Sequence, residues 1–343
     1  MNNENNENNI VLPEMEKLVV STSPHIHNGA STSRIMLMVI FALIPACISS
    51  VLFFGPDALR VIFWCSFFCL ITEWGCCKIM NKPVSLGDFS ALLTGILLAL
   101  NLSSMAPWWL CAIGAVLAIV LAKQLYGGLG YNPFNPALVA RVGLLIAFPK
   151  HMTIFPAPTP AISSIEKISH ATSYATPLTN WQANGVIESS SSDIINYFIG
   201  NCGGCIGETS ALALILGGIF LIYKKLIRWQ VPCFYILTVA VITGIIHVCS
   251  PETTPPPLFH ILTGGLLIGA FFMATDMVTS PLTKLGSILF AIGCGVMTCV
   301  IRQWGGYPEG VSFSILFMNA LTPFIDRYTT GKPFGTKKKG TDK

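Results

Sequence analysis

At 343 residues the chain is 52% hydrophobic and only 10% charged, with a formal net charge of +4 and a mean hydropathy of +0.65. Soluble domains carry roughly a quarter charged residues, so a soluble globular protein is excluded. The solvent of most of this chain is a bilayer.

The first nine residues are rich in Asn and Glu and low in complexity, the composition of a disordered segment. No basic stretch leads into a short apolar run, so no cleaved signal peptide is expected and the first span serves as its own insertion signal. A bilayer core of about 30 Å needs roughly twenty apolar residues at the helical rise. Ten segments come near that length: 35–54, 58–79, 86–104, 107–126, 136–148, 208–223, 231–248, 258–275, 285–301 and 308–325. The fifth is short and reads as tilted or partly re-entrant. The expectation is an all-α polytopic membrane protein.

The segments divide into two groups of five. Residues 1–30 form a polar cytoplasmic N-terminus, 31–148 a first membrane repeat, 149–207 a long external loop, 208–326 a second repeat and 327–343 a basic cytoplasmic tail. Thr94-Gly95-Ile96-Leu97-Leu98 is echoed by Thr263-Gly264-Gly265-Leu266-Leu267. Gly127-Gly128 before Asn135-Pro136-Ala137 is echoed by Gly305-Gly306 before Asn319-Ala320. An odd number of spans per repeat inverts the second relative to the first, and inverted repeats place functional sites at their interface. Of the 20 Lys and Arg residues, fifteen fall on the side of the termini and four (Arg60, Lys150, Lys167, Arg302) on the other, with Arg141 inside the fifth span. By the positive-inside rule the termini are cytoplasmic and the long loop is external. The tail run Lys337-Lys338-Lys339 reads as a topology anchor and not as a nucleic-acid contact.

A charge at the bilayer centre costs about 2.5–3.5 kcal/mol, so each one calls for a reason. Asp88 and Glu208 stand in first turns, where an acid suits the helix dipole. Glu73 and Asp276 stay open between structural pairing and a cation or proton path. Asn135 is placed to cap a helix starting at Pro136, and the preceding glycines permit close helix approach. The segment is no dinucleotide fingerprint, because no strand precedes it and the glycine register fails at Pro133. Its Asn-Pro-Ala is similar to aquaporin half-helices, which raises a small-solute channel as an alternative, although the second half offers only Met318-Asn319-Ala320. Most of the 12 cysteines lie inside apolar spans as small hydrophobes. Cys202-Gly203-Gly204-Cys205 has redox-like spacing but no second pair, a weak signal for metal.

The loop carries Pro156, Pro158 and Pro160, a serine run at 189–192, and Ser173-Tyr174-Ala175-Thr176-Pro177-Leu178. It holds no catalytic triad, metal cage or phosphate loop. Taken together, Ser23-Pro24-His25-Ile26, LLTGILLAL at 92–100, KQLYGGLG at 123–130, NPFNPA at 132–137, GETS at 207–210, GAFFMATD at 269–276, GGYPEG at 305–310 and IDRY at 325–328 closely resemble the NqrB/RnfD family. The resemblance is to the D-type subunit of Rnf electron-transport complexes (RnfD, also called RsxD) and, more distantly, to the B-type subunit of the sodium-translocating NADH:quinone oxidoreductase. It implies FMN joined through a phosphoester to Thr176, with Ser173 and Ala175 completing the pattern. His170 stands where the family has an aspartate that a flavin transferase recognises. It further implies a non-covalent riboflavin of unknown location, and Rnf subunits A, B, C, E and G as partners in a bacterial inner membrane. Electrons would pass between reduced ferredoxin and NAD, coupled to sodium or proton movement. No catalytic side chain or metal ligand is expected on this chain itself. A flavin-free membrane anchor of the complex is the remaining alternative.

Overall fold

A computed structural model describes residues 31–156, 158, 173–185, 190–208, 210–307 and 309–331. The expected disorder of the first residues, His170 and the basic tail at 337–339 lie outside the described residues.

Helix α1 (Thr32–Phe54) starts where the Ser31 hydroxyl accepts from the Arg34 amide, and ends at Gly55. Gly55 adopts φ +67, open to a residue without Cβ, and Pro56 opens α2 (Pro56–Ile79), its missing N–H being one fewer unpaired donor in the first turn. Next come α3 (Ser90–Leu100) and α4 (Trp108–Val116), which runs on as a π-helical stretch, Leu117–Gln124. Asn135 caps α5 (Pro136–Ala147), its side-chain oxygen accepting from the Ala137 amide. After a short α6 (Pro149–Met152), β1 (Phe155–Pro156) pairs antiparallel with β2 (Ser173–Tyr174). Two short helices follow, α7 (Pro177–Asn184) and α8 (Ser191–Ile199). The second half holds α9 (Ala211–Tyr223), α10 (Gln230–Cys249), α11 (Pro257–Leu262), α12 (Leu266–Ile268) with a π-helical stretch Gly269–Met273, α13 (Lys284–Trp304) and α14 (Val311–Thr329).

Helices α1, α2, α10 and α13 are long and apolar enough to cross a membrane, and α3, α4 with its π stretch, α5 and α9 are shorter apolar helices. At 1.5 Å per residue, the 12 residues of α5 cover only about 18 Å. With α14 and the interrupted α11–α12 segment, ten apolar segments stand where hydropathy put them. The fold is all-α and polytopic, the β1–β2 pair being a minor addition.

The packing repeats between halves. α2 packs on α3 and α4 as α10 packs on α11 and α13, while α1 meets α9 and α5 meets α14. First segment against first and last against last is what an inverted pair related by a two-fold produces. The α1–α9 seam is close because Gly217 lacks a side chain: a Cβ there would lie 2.2 Å from the Ala42 carbonyl oxygen. Gly217→Ala is expected to destabilise the fold by about 1–3 kcal/mol, read as a lower melting temperature in detergent. An unchanged transition would mean that the seam yields.

One sequence echo needs correction. The Gly-Gly pairs do follow α4 and α13 in both halves, but Asn135 caps α5 whereas Asn319 is buried inside α14. The residue that opens α14 is Gly310. A motif of two or three letters matched the wrong turn.

Candidate functional site

Thr176 sits at the N-cap of α7, 5% exposed. Its hydroxyl accepts from the Thr179 amide at 3.2 Å and lies 2.7 Å from the Thr179 hydroxyl. Extended backbone at Thr176 followed by Pro177 is the sequence signature of a helix start. Ala175 beside it is exposed, and Ser173 lies in β2. What fixes the segment is the second repeat. Leu178 is buried; the Trp181 indole donates to the Thr253 carbonyl at 3.0 Å; the Gln182 amide donates to the Arg302 carbonyl at 2.7 Å. The Trp181 ring meets His260 edge-on, centroids 5.2 Å apart. The seat of Thr176 is thus built against α11 and the C-terminal end of α13.

The α11–α12 interruption belongs to the same region. Thr263, Gly264 and Gly265 leave the helix, both glycines with positive φ, and Arg302 Nη1 and Nη2 donate to the carbonyls of His260, Thr263 and Gly264 at 2.6, 3.0 and 2.9 Å. Those carbonyls have lost their helical amide partners, so the guanidinium restores what the break removes.

Two buried ionic groups flank the repeat interface. Lys123 Nζ contacts both Glu73 carboxylate oxygens at 2.7 and 2.8 Å and the Ser90 hydroxyl at 2.8 Å; the Ser85 hydroxyl donates to Glu73 at 2.6 Å. Glu73 is therefore a paired group. In the second group, Arg141 donates to Asn101 at 2.7 Å, to Glu208 at 3.3 Å, and to Glu309. Glu208 lies in a buried turn before α9, so its role is pairing with Arg141, not capping a helix. Cys205 Sγ, Glu208 and Glu309 lie within metal-binding range of one another, but the Arg141 guanidinium already supplies their positive charge. Burial pushes the Cys202 and Cys205 thiols up to about 12, in Cys205 with Glu208 adding to the effect. Both are free and protonated near neutrality, and neither is a ready nucleophile.

By sequence, Lys123 counts as a charge of the terminal side at the end of segment 107–126, and Arg302 as a charge of the other side just beyond segment 285–301. Both are instead buried inside helical segments. Removing them changes fifteen against four into fourteen against three, and the bias survives. The signal that could have found them is a basic-Gln pair just before each Gly-Gly pair.

A cavity opens between the repeats. Lys123 from the first π stretch and Phe271 and Phe272 from the second contribute to its wall, with Asn132, Asn135 and Asp276 among its other polar members. Asn135 Nδ2 donates to the Met273 carbonyl at 3.3 Å and so ties the α5 cap to the opposite repeat. The Asn132 side-chain oxygen is buried without a partner among the described residues. Asp276 follows the π stretch and accepts from Val278 N–H at 3.4 Å and the Thr279 hydroxyl at 3.3 Å. The structure therefore brings Asp276 and the Asn132–Asn135 motif to one cavity, while Thr176 belongs to a separate seat on α11 and α13.

Ten apolar segments in two inverted halves, with paired charges and a cavity between them, define a multi-pass membrane protein of the transport class. The chain belongs to the NQR2, RnfD, RnfE family, which it matches over residues 19–335. It is 43% identical over 323 residues to the D-type subunit of the Na(+)-translocating ferredoxin:NAD(+) oxidoreductase complex of Acetobacterium woodii, covering 94% of this chain and 96% of that protein. It is 42% identical to the corresponding subunit of the proton-translocating ferredoxin:NAD(+) oxidoreductase complex of Clostridium ljungdahlii, covering 93% and 96%. The corresponding subunit of the ion-translocating oxidoreductase complex of Stutzerimonas stutzeri is 40% identical, covering 91% and 94%.

Proposed function

We propose that this chain is the D-type membrane subunit of an ion-translocating ferredoxin:NAD oxidoreductase, carrying electrons through FMN esterified to Thr176. The observation that carries the reading is the Thr176 seat: a threonine of the family's flavinylation pattern, at a helix N-terminus, on a segment clamped to the membrane body. A phosphoester there faces the positive end of the α7 dipole, with the Leu178 amide the one N–H of the first turn that has no bond among the described residues. FMN accepts one or two electrons, so when bound it can link one-electron carriers to other flavins. The chain's own residues position it: Pro177 and Leu178 hold the backbone, and Trp181 and Gln182 fix α7 to the second repeat. With cytoplasmic termini in a bacterial inner membrane, the flavin faces the periplasm, among Rnf subunits A, B, C, E and G. A flavin transferase is required for maturation. The test is a denaturing gel of the chain made with and without that transferase. A fluorescent band only with the transferase supports the reading; no band with transferase and flavin supplied contradicts it.

The cavity between the repeats suits a second, non-covalent flavin, riboflavin by family resemblance. Phe271 and Phe272 contribute aromatic wall, and the unpartnered Asn132 oxygen suits a ring N–H. Asn132→Leu is expected to lower the flavin released on denaturation by about tenfold, the worth of a lost buried hydrogen bond, while covalent fluorescence is unchanged. Equal release from variant and wild type would remove the cavity from consideration. For the ion path, Glu73 is neutralised by Lys123, which leaves Asp276 as the better candidate. Relatives are named for sodium in one case and for protons in another, so family membership leaves the ion open.

A further inference from the structure

The two repeats each bury a cation at matching places. Lys123-Gln124 precedes Gly127-Gly128 at the end of the fourth segment, and Arg302-Gln303 precedes Gly305-Gly306 at the end of the ninth. The extra residue between Gln124 and its Gly-Gly pair falls just after the π stretch, which adds one residue to a helical turn. Lys123 is 2% exposed and Arg302 1%. Their surroundings differ in one respect. Lys123 is neutralised by Glu73 of α2, whereas no carboxylate pairs with Arg302 among the described residues; its terminal nitrogens meet only the three carbonyls of the α11 break. Arg302 Nε is buried without an acceptor, and so are both ring nitrogens of the neighbouring His260. Glu208 acts on Arg302 electrostatically but makes no contact with it among the described residues and is already paired with Arg141. A buried guanidinium without a contacting anion is costly, and unpartnered polar atoms beside it add to that cost.

We infer that the missing anion is the phosphoester on Thr176, held by Arg302 with a His260 ring N–H as second donor. This rests on the flavin reading above and adds to it the residues that bind the phosphate. The placement supports it. Leu178, two residues beyond Thr176, and Arg302 Nη2 crowd one point beside Gly264: a Cβ on that glycine would lie 3.0 Å from Leu178 Cδ2 and 2.7 Å from Arg302 Nη2. Trp181 packs on His260, and Gln182 reaches the Arg302 carbonyl. A phosphodiester carries one negative charge and spare acceptor oxygens, so it balances the guanidinium and takes a charge-assisted hydrogen bond. In the first repeat the acid is a residue of the chain; in the second it arrives by modification.

The test uses full-length chain labelled with 15N-arginine in a phosphate-free sugar detergent, which removes lipid phosphate as a source. Phosphorus-to-nitrogen dipolar dephasing is expected in flavinylated protein and absent in protein made without the transferase. In parallel, flavinylation is expected to raise the melting temperature of wild type by at least about 2–4 °C. Arg302→Lys should keep most of that rise and Arg302→Gln should lose it. A fluorescent wild-type band without dephasing, or an equal rise in Arg302→Gln, overturns the inference while the flavin assignment stands. No fluorescent band in wild type overturns both. Should Arg302→Gln fail to fold, the wild-type dephasing decides alone.

Discussion

Replacing Thr176 with alanine is expected to reduce covalently bound flavin to background while leaving the chain folded. The two effects separate because the residue has two jobs. Its hydroxyl caps α7 through the Thr179 amide, and loss of an N-cap costs about 1 kcal/mol, a modest fraction of a domain's stability. The same oxygen is the only atom at this position able to form a phosphoester, so the loss of flavin is complete, not graded. Thr176→Asn keeps a capping oxygen but has no hydroxyl to esterify, and should melt with wild type made without the transferase, which isolates the cap from the ester. In-gel fluorescence and a melting curve on the same preparation read both. Residual fluorescence in Thr176→Ala would move the attachment to another side chain.

The second large effect lies at the Glu73–Lys123 pair. Both side chains are buried, Lys123 Nζ touching both carboxylate oxygens. Glu73→Gln leaves an ammonium with only neutral partners in a low-dielectric surrounding, and Lys123→Met leaves a carboxylate with Ser85 and Gln124. Removing one member of such a pair is expected to cost about 3–5 kcal/mol. The double variant Glu73→Gln/Lys123→Met buries no net charge and should recover most of that loss. Thermal unfolding of the three variants gives the coupling directly. A double variant as unstable as either single would show that the two residues act independently.

Much of the fold is legible in the sequence because hydropathy over twenty residues is a strong signal, and it locates all ten apolar segments. The caps are legible for the same kind of reason: Asn135-Pro136 and Thr176-Pro177 pair a capping oxygen with a proline that needs no amide partner. The interruption at Thr263–Gly265 is not, since an apolar run reads the same whether its backbone is continuous or broken. Nor are the π stretches, which depend on one-residue shifts in hydrogen bonding that composition does not record. The Arg141–Glu208 pair joins residues 67 apart, and only the packed repeats bring them together. Local chemistry makes Glu208 look like a helix-dipole acid; tertiary contact makes it a counter-ion. The burial of Lys123 and Arg302 is not legible because each lies within a few residues of a glycine turn, where a charge is expected at a solvated span end.

Peptide mapping by tandem mass spectrometry of chain isolated from native membranes tests the central claim most directly. The peptide containing Thr176 is expected to carry the mass of FMN less one water, with fragment ions placing it on that threonine. Recovery of the same peptide unmodified, from cells that hold the transferase and flavin, would contradict the assignment.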